Sequence, residues 1–398
     1  MTKRNLSASI CMIVSLGAGS SALAQSDPAS VELGNGVEFK PSLSFDVQSD
    51  DNLLYTDSDE LDSVIAVIKP TFELFATNGT SEYSVNYSLS RGEHFDSEDD
   101  NYLDHFFNGA AKWELSSKNR LSLNALYTNG HEPRGTQFSE GKAELLDEPD
   151  TYADSDLGAL YSFGAEGAKG RIDVTVGTKD RDYDGGLRTA SRDRGTNYGT
   201  VGFFYNAGGK TELFTEVSRR KIDYDATAAN TETLNSSETD VMVGIKWEGT
   251  AATTGTAKIG QRQKDFKSFE RKDFSAPRWE VGVRWSPLSY SSFDLNTERR
   301  SDESNGYGNF SDTKSTTLAW THSWSEAVSS TFSYNFENSE YAATKREDDV
   351  KNTSARLDYQ TRRWLSFHAG LNISDKDSNV DGFDFEKNLV FVGLNATL

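Results

Sequence analysis

From about residue 37 to the end of the chain, apolar and polar side chains alternate with a period of two. Val241, Val243, Ile245 and Trp247 interleave with Asp240, Met242, Gly244 and Lys246, and Trp279, Val281, Val283 and Trp285 interleave with Glu280, Gly282 and Arg284. Leu318, Trp320, His322 and Trp324 make another such row, as do Phe332, Tyr334 and Phe336. The pattern recurs over 103–115, 121–127, 157–163, 172–176, 355–359 and 367–373. Successive strand residues point to opposite faces, so each stretch reads as a strand with one apolar and one polar face. No helical period is evident beyond the first two dozen residues.

Short and long connections alternate between these rows. Short turns fall at 78–79, 116–120, 207–210, 286–290, 325–328 and 361–363. Longer, mostly acidic and Gly/Asn-rich loops fall at 48–63, 91–101, 130–150, 182–193, 225–237, 301–310, 338–349 and 374–382. Tracing up and down from Val37 predicts an all-β, transmembrane antiparallel barrel of roughly 16–18 strands, with short periplasmic turns and long extracellular loops. An even count returns both ends to the periplasm. The last row, Val390, Val392, Leu394, Ala396 and Leu398, resembles the C-terminal signal read by barrel-assembly machinery, although such signals usually end in Phe. A soluble β-sandwich is the alternative, but chains beyond about 250 residues usually split into domains, and no linker or composition break is present. Trp113, Trp247, Trp285 and Trp324 each stand beside a short turn, the place expected of an interfacial aromatic belt.

The first residues read as a secretory leader: Lys3 and Arg4, a mostly apolar or small stretch over 6–16, and Ala22-Leu23-Ala24 before Gln25. That stretch is shorter than the about 20 residues a membrane helix needs. The reading is therefore a signal peptide over 1–24, a short periplasmic segment over 25–36, and a barrel over 37–398. The single cysteine, Cys11, lies within the leader. The mature chain can form no disulfide or thiolate metal site, and the sequence calls for no cofactor.

Without Lys3 and Arg4, 39 basic residues face 62 acidic ones, a formal charge of −23. Such acidity argues against nucleic acid as a partner. A mean hydropathy of −0.63 would suit a soluble or disordered chain, but 7 Trp, 16 Tyr and 23 Phe are too many for disorder. A membrane barrel satisfies both observations, because only alternate strand residues face lipid. The net negative charge is expected mainly in the outer loops.

Candidate chemistry is sparse. Of the histidines, His94 and His131 fall in predicted loops, His322 and His368 in apolar rows of the wall, and none, His105 included, sits in a recognisable hydrolase motif. The expectation is a channel rather than an enzyme. Asp375, Asp377, Asn379 and Glu386 match ligand positions of a calcium-binding EF loop, but Val380 stands where that loop needs glycine and the flanks read as strands. A solvated acidic loop, here and at 96–100, is favoured over a weak calcium site. The polar faces carry charges of both signs: Lys258, Arg262 and Lys264; Glu280 and Arg284; Asp294, Asn296, Glu298 and Arg300; Arg356 and Asp358. These are lumen-lining candidates, either for a hydrated path or as ion pairs bracing the interior. About eighteen strands leave a lumen wide enough for water unless a segment plugs it.

One stretch is more specific. Phe39, Pro41 and Val47 precede Asp50-Asp51-Asn52-Leu53-Leu54-Tyr55, followed by Ile68, Pro70 and Phe72. This opening resembles the putative beta-barrel porin 2 family, the EpsL-like outer-membrane proteins of exopolysaccharide and capsule operons. In the first hairpin loop, Asp50, Asp51 and Asn52 can cap backbone N–H groups or meet a ligand. The resemblance implies an exit channel for a secreted polysaccharide in a Gram-negative outer membrane. Its partners would be membrane lipid and lipopolysaccharide, the barrel-assembly machinery, the polysaccharide itself and periplasmic polysaccharide-export proteins. A diffusion porin for small polar solutes and a non-conducting structural or adhesive barrel are the alternatives.

Overall fold

The computed structural model describes residues 30–165, 167–228, 231–250 and 252–398. The leader and its cleavage site lie outside the described residues. Strand β1 (Val31–Gly34) turns at Asn35-Gly36 into β2 (Val37–Asp50), which is followed by β3 (Ser63–Asn78), β4 (Ser81–His94) and β5 (Tyr102–Ser116). The wall continues through β6 (Asn119–Glu132), β7 (Asp150–Phe163), β8 (Gly170–Tyr183), β9 (Arg194–Gly208) and β10 (Thr211–Tyr224). Next come β11 (Ser236–Thr250), β12 (Thr253–Phe266), β13 (Phe274–Leu288), β14 (Ser291–Glu303) and β15 (Phe310–Ser323). The last four are β16 (Val328–Tyr341), β17 (Glu347–Arg362), β18 (Leu365–Ser378) and β19 (Phe385–Thr397). Helical structure among the described residues is limited to single 3-10 turns in the loops.

From β2 onward each strand pairs antiparallel with the next, and β19 pairs with β2 from Leu389 opposite Asp50 to Thr397 opposite Ser42. The result is a closed barrel of 18 strands. Closure follows from the solvent: a sheet edge in hydrocarbon would strand a row of N–H and C=O groups, each costing several kcal/mol. β1, within the segment expected ahead of the barrel, pairs with the first residues of β2, Val31 opposite Phe39.

The period of two decides which side of the wall each residue takes. Val243, Ile259 and Val392 are 57%, 62% and 55% exposed on the outer face, where lipid would cover them, whereas Arg262 and Lys264 on the inner face are 3% and 0% exposed. The long connections are shorter than the sequence suggested. The 338–349 loop contracts to 342–346, and 301–310 to 304–309, because strands carry charged residues past the membrane while still pairing. A further loop, 267–273, is short and lacks the acidic, Gly/Asn-rich signature of the others.

Prolines stand where the ladders are interrupted, as their missing N–H requires. Pro41 lies between the β2 residues paired with β1 and those paired with β19. Pro70 falls in a gap of the β3–β4 ladder, between Ile68 and Thr71. Pro277 lies where β13 has lost β14, whose pairing stops at Glu280 opposite Glu298. Phe39 and Phe72 stack across β2 and β3 with centroids 6.3 Å apart.

The 50–56 motif fastens the seam where the first barrel strand meets the last. Asn52, fully buried, donates Nδ2 to the carbonyls of Thr56 (2.7 Å) and Glu386 (2.8 Å) and accepts from Thr56 N. Asp51 accepts from Asn388 N at 2.6 Å and Asn388 Nδ2 at 2.8 Å. Lys387 Nζ reaches Asp50 Oδ2 (2.7 Å) and the carbonyl of Asn52 (3.0 Å), beneath the Tyr55 ring. Deeper in the seam, Gly393 of β19 leaves room for His368 Nε2 on β18 to meet Asp46 Oδ1 on β2 at 2.5 Å; a Cβ there would lie within 2.5 Å of both. His368 is thus on the inner face, not in the apolar row beside Phe367. Leu53, Leu61, Ile65 and Val67 pack as a small apolar cluster under the motif.

Asn52→Ala is expected to destabilise the barrel by about 3 kcal/mol, since it removes three bonds and leaves buried partners unpaired. The folded-to-unfolded gel-mobility transition should move to lower temperature; an unchanged midpoint would contradict the seam assignment.

The aromatic belt at the short-turn end is well marked. Trp113 Nε1 donates to Tyr83 OH at 3.0 Å, Trp285 stacks on Phe293, and Trp320, His322 and Trp324 cluster with Tyr290. Trp247 and Trp364 stand at the same end of β11 and beside the β17–β18 turn. Trp rings prefer the interface, so lipid-attached quenchers should report shallow depths for Trp113, Trp247, Trp285 and Trp324. Quenching from the bilayer centre would overturn that placement.

Candidate functional site

The charged positions singled out in the sequence lie on the inner wall, mostly paired with one another. Lys258 sits between Glu216 (3.5 Å) and Glu280 (2.9 Å). Arg262 clasps Asp240 through two bonds, and Arg278 also reaches Asp240. Lys264 joins Glu238 (3.0 Å) to Glu303 (2.6 Å), and Arg220 also meets Glu238. Arg284 pairs with Asp294 (2.7 Å), Arg300 with Glu298, Asp302 and Glu337, and Arg356 with Asp358 (2.8 Å). Buried charges demand such partners. Ion pairs run without a break from Glu216 on β10 through β11, β12 and β13 to Glu303 on β14, whereas Arg284 with Asp294, the Arg300 cluster, and Arg356 with Asp358 form separate groups.

The β6–β7 connection, 133–149, carries no local motif that marks its role. It folds over the long-loop mouth, stapled at both ends to its own side of the barrel. Arg134 donates to both oxygens of Asp100 (2.8 and 2.5 Å), to Ser97 Oγ and to the carbonyl of Leu146. Gly135, at φ +83°, presses so close to the carbonyl of Leu54 that a Cβ would sit 1.8 Å from its oxygen. Thus the seam motif also seats this segment.

From there the segment reaches across the mouth. Phe138 lies over Gly306, and its ring is flanked by the Lys142 ammonium (4.5 Å) and the Arg192 guanidinium (4.9 Å). Arg192 is itself held by Glu132 and by Asp150 at 2.7 Å. At the far side Glu140 accepts from Lys376 Nζ at 2.6 Å, Arg346 Nη2 at 2.8 Å and Asn305 Nδ2 at 2.9 Å. These partners belong to β18, to the 342–346 loop and to the 304–309 loop, roughly half-way round the barrel from β6 and β7.

The remaining sequence candidates are dispersed. His94 and His131 belong to β4 and β6 rather than to loops; His131 Nδ1 meets Asp104 at 2.9 Å and stacks on Tyr102. His105 Nδ1 bonds Tyr87 OH. Asp375 pairs with Lys351 at 3.0 Å, while Asn379 binds the backbone of Lys345 and Glu347. Asp375 stands opposite Glu386 across β18 and β19 but is taken by Lys351, and no group of three His, Cys, Asp or Glu suited to a metal occurs among the described residues.

Burial works against the charge of the Asp100 carboxyl, but hydrogen bonds from Arg134 and Ser97 outweigh it and hold the group below its ordinary value of 3.8. The Asp100 bond in turn pushes Arg134 upward. A carboxyl lowered in this way stabilises fully above its ordinary value and loses that contribution as pH falls through the lowered one. Hydrogen exchange over 133–149, corrected for intrinsic rate, should quicken below about pH 3.8. Asp100→Asn should show the same loosening at neutral pH. Equal protection of native and variant protein at pH 7 would refute the staple.

Among solved structures, the chain is similar to Pseudomonas aeruginosa OpdK with vanillate, at 14% identity, 90% of this chain, 99% of that one and a TM-score of 0.49. It is also similar to the siderophore receptor PirA from the same organism (8% identity, 90% and 80%, TM-score 0.46). The FrpB iron transporter of Neisseria meningitidis aligns at 12% identity, over 85% and 62% of the two chains, with a TM-score of 0.48. No curated protein matches the sequence. The profile of the family described as "Putative beta-barrel porin 2" matches residues 28–398. An 18-strand wall with an apolar exterior and a charged interior is the form such a porin takes in a Gram-negative outer membrane, and this chain is a member of that beta-barrel porin family.

Proposed function

We propose that the barrel is the outer-membrane exit channel for an exopolysaccharide or capsular polysaccharide. The observation that carries this reading is the 133–149 segment spanning the mouth and held on both sides by side-chain contacts. A pore broad enough for a polymer would leak when idle, so an exporter needs a closure that its cargo can open.

The wall supports passage of a polar chain. A moving polymer needs many shallow contacts, since one deep site would trap it as it would an ion. Charges already neutralised by neighbours, such as Arg284–Asp294 and Arg356–Asp358, offer hydrogen bonds without a strong net field. The loops at 51–62 and 95–101 carry acidic side chains and no basic ones, a field that pushes an acidic polymer away once it has left. The resemblance at Phe39–Phe72 points the same way.

A strain lacking the gene should make polysaccharide but fail to display it, with material retained in the periplasm. Comparing extracellular and periplasmic polysaccharide in the deletion strain tests this. Normal secretion with reduced small-solute uptake would favour a diffusion porin, and no change in either a structural barrel.

A further inference from the structure

The far-side anchor of the crossing segment is built like a receptor for a carboxylate. Its wall half comprises Arg346, Lys376 and Asp348, whose side chains are 3%, 5% and 2% exposed. Asp348 takes Arg346 Nε at 3.0 Å and Lys376 Nζ at 3.0 Å, together with Ser378 Oγ and Tyr341 OH. Two cations and one carboxylate leave one positive charge over, and Glu140 neutralises it from outside the wall. A third donor, Asn305 Nδ2, points at the same carboxylate oxygen as Arg346. Arg346 Nη1 is buried with no partner, so the site holds donor capacity that Glu140 does not use.

Around the guanidinium, Phe383, Tyr341 and Tyr307 present ring centroids at 3.8, 4.3 and 4.9 Å. Charged donors fixed among aromatic faces suit a sugar acid, whose carboxylate takes the donors while its ring packs on the aromatics. Glu140 belongs to the long connection bounded by Pro133 and Pro149, whereas every other member is fixed to the wall or its tight loops.

We propose that Arg346, Lys376 and Asn305 form a binding site for the carboxylate of an acidic sugar unit, and that Glu140 is the resident occupant which such a cargo displaces. The proposal rests on the exit-channel reading and names the substrate class: a polymer containing sugar acids. The exchange replaces one carboxylate by another, so no cation is left uncompensated, and release of Glu140 frees the far end of the segment. Cargo arrival and opening thereby become one event.

The full-length protein can be titrated in detergent with galacturonate, hexagalacturonate and neutral maltohexaose, while single-channel conductance is followed in planar bilayers. Hexagalacturonate should bind and raise the open fraction, whereas maltohexaose should do neither. Glu140→Gln, a loop substitution outside the wall, should raise the basal open fraction and tighten hexagalacturonate binding, each by roughly tenfold, by removing the competitor. Adding Lys376→Gln to that variant should weaken the acid's binding while leaving the pore open, which separates site loss from misfolding. Binding of galacturonate alone would assign the site to the carboxylate, with the remaining sugar units adding packing. Equal responses to maltohexaose and hexagalacturonate, or unchanged acid affinity in Glu140→Gln, would overturn the site. Neither result touches the exit-channel reading, which stands or falls on secretion in the deletion strain.

Discussion

The structure depends on one requirement: every backbone N–H and C=O that crosses the lipid must be bonded within the wall. A hairpin satisfies this locally, and each neighbour is only a short turn away. The ring, however, closes through one pairing that no turn assists, β19 on β2, between residues more than 300 apart in sequence. There the chain has concentrated its most specific side-chain chemistry. Asn52 reads backbone carbonyls on both sides of the seam, Asp51 holds Asn388, and Lys387 ties Asp50 to its own strand's end. Gly393 then gives up its side chain so that His368 and Asp46 can span the last strand. A ligand role for Asp50–Asn52 is not needed to explain these residues.

A second consequence concerns charge. With apolar residues committed to the lipid face, the inner face takes the polar ones, and an unpaired ion in a partly dry lumen is costly. The wall answers with cross-strand pairs at directly opposed or diagonal positions, such as Lys258 with Glu280 and Arg284 with Asp294. The interior is braced by the same groups that make it hydrophilic.

The period of two was sufficient to read the all-β barrel and bracket its strand number from sequence, because both depend on residues within one strand or its neighbour; His368, read with the apolar row beside Phe367, faces inward because Asp46 holds it there. Loop lengths were overestimated: charged strand ends such as Glu337–Tyr341 look like loop when judged by polarity but still pair above the membrane. The crossing segment was illegible for a different reason. Glu140 meets Arg346 and Lys376, 206 and 236 residues away, and nothing local in the three residues marks them as partners. The available signals were indirect: 133–149 is the longest connection, and prolines stand at both its ends.

Seam and segment are not independent. The loop that carries Asn52 also presents the Leu54 carbonyl against Gly135, and Asp100 in the neighbouring loop holds Arg134. The near end of the segment is therefore seated on the part of the wall that the seam motif makes rigid. Its far end, Glu140, rests on groups that Asp348 would keep in place without it. A strap held on its near side by shape and by the Arg134–Asp100 pair, and on its far side by the Glu140 carboxylate, can be released at the far contact without disturbing the barrel. Gly135 cannot move away without opening the packing over Leu54, whereas Glu140 can exchange with any carboxylate of similar reach. Opening from the charged end leaves the closure of the sheet intact, and with it every backbone bond on which the wall depends.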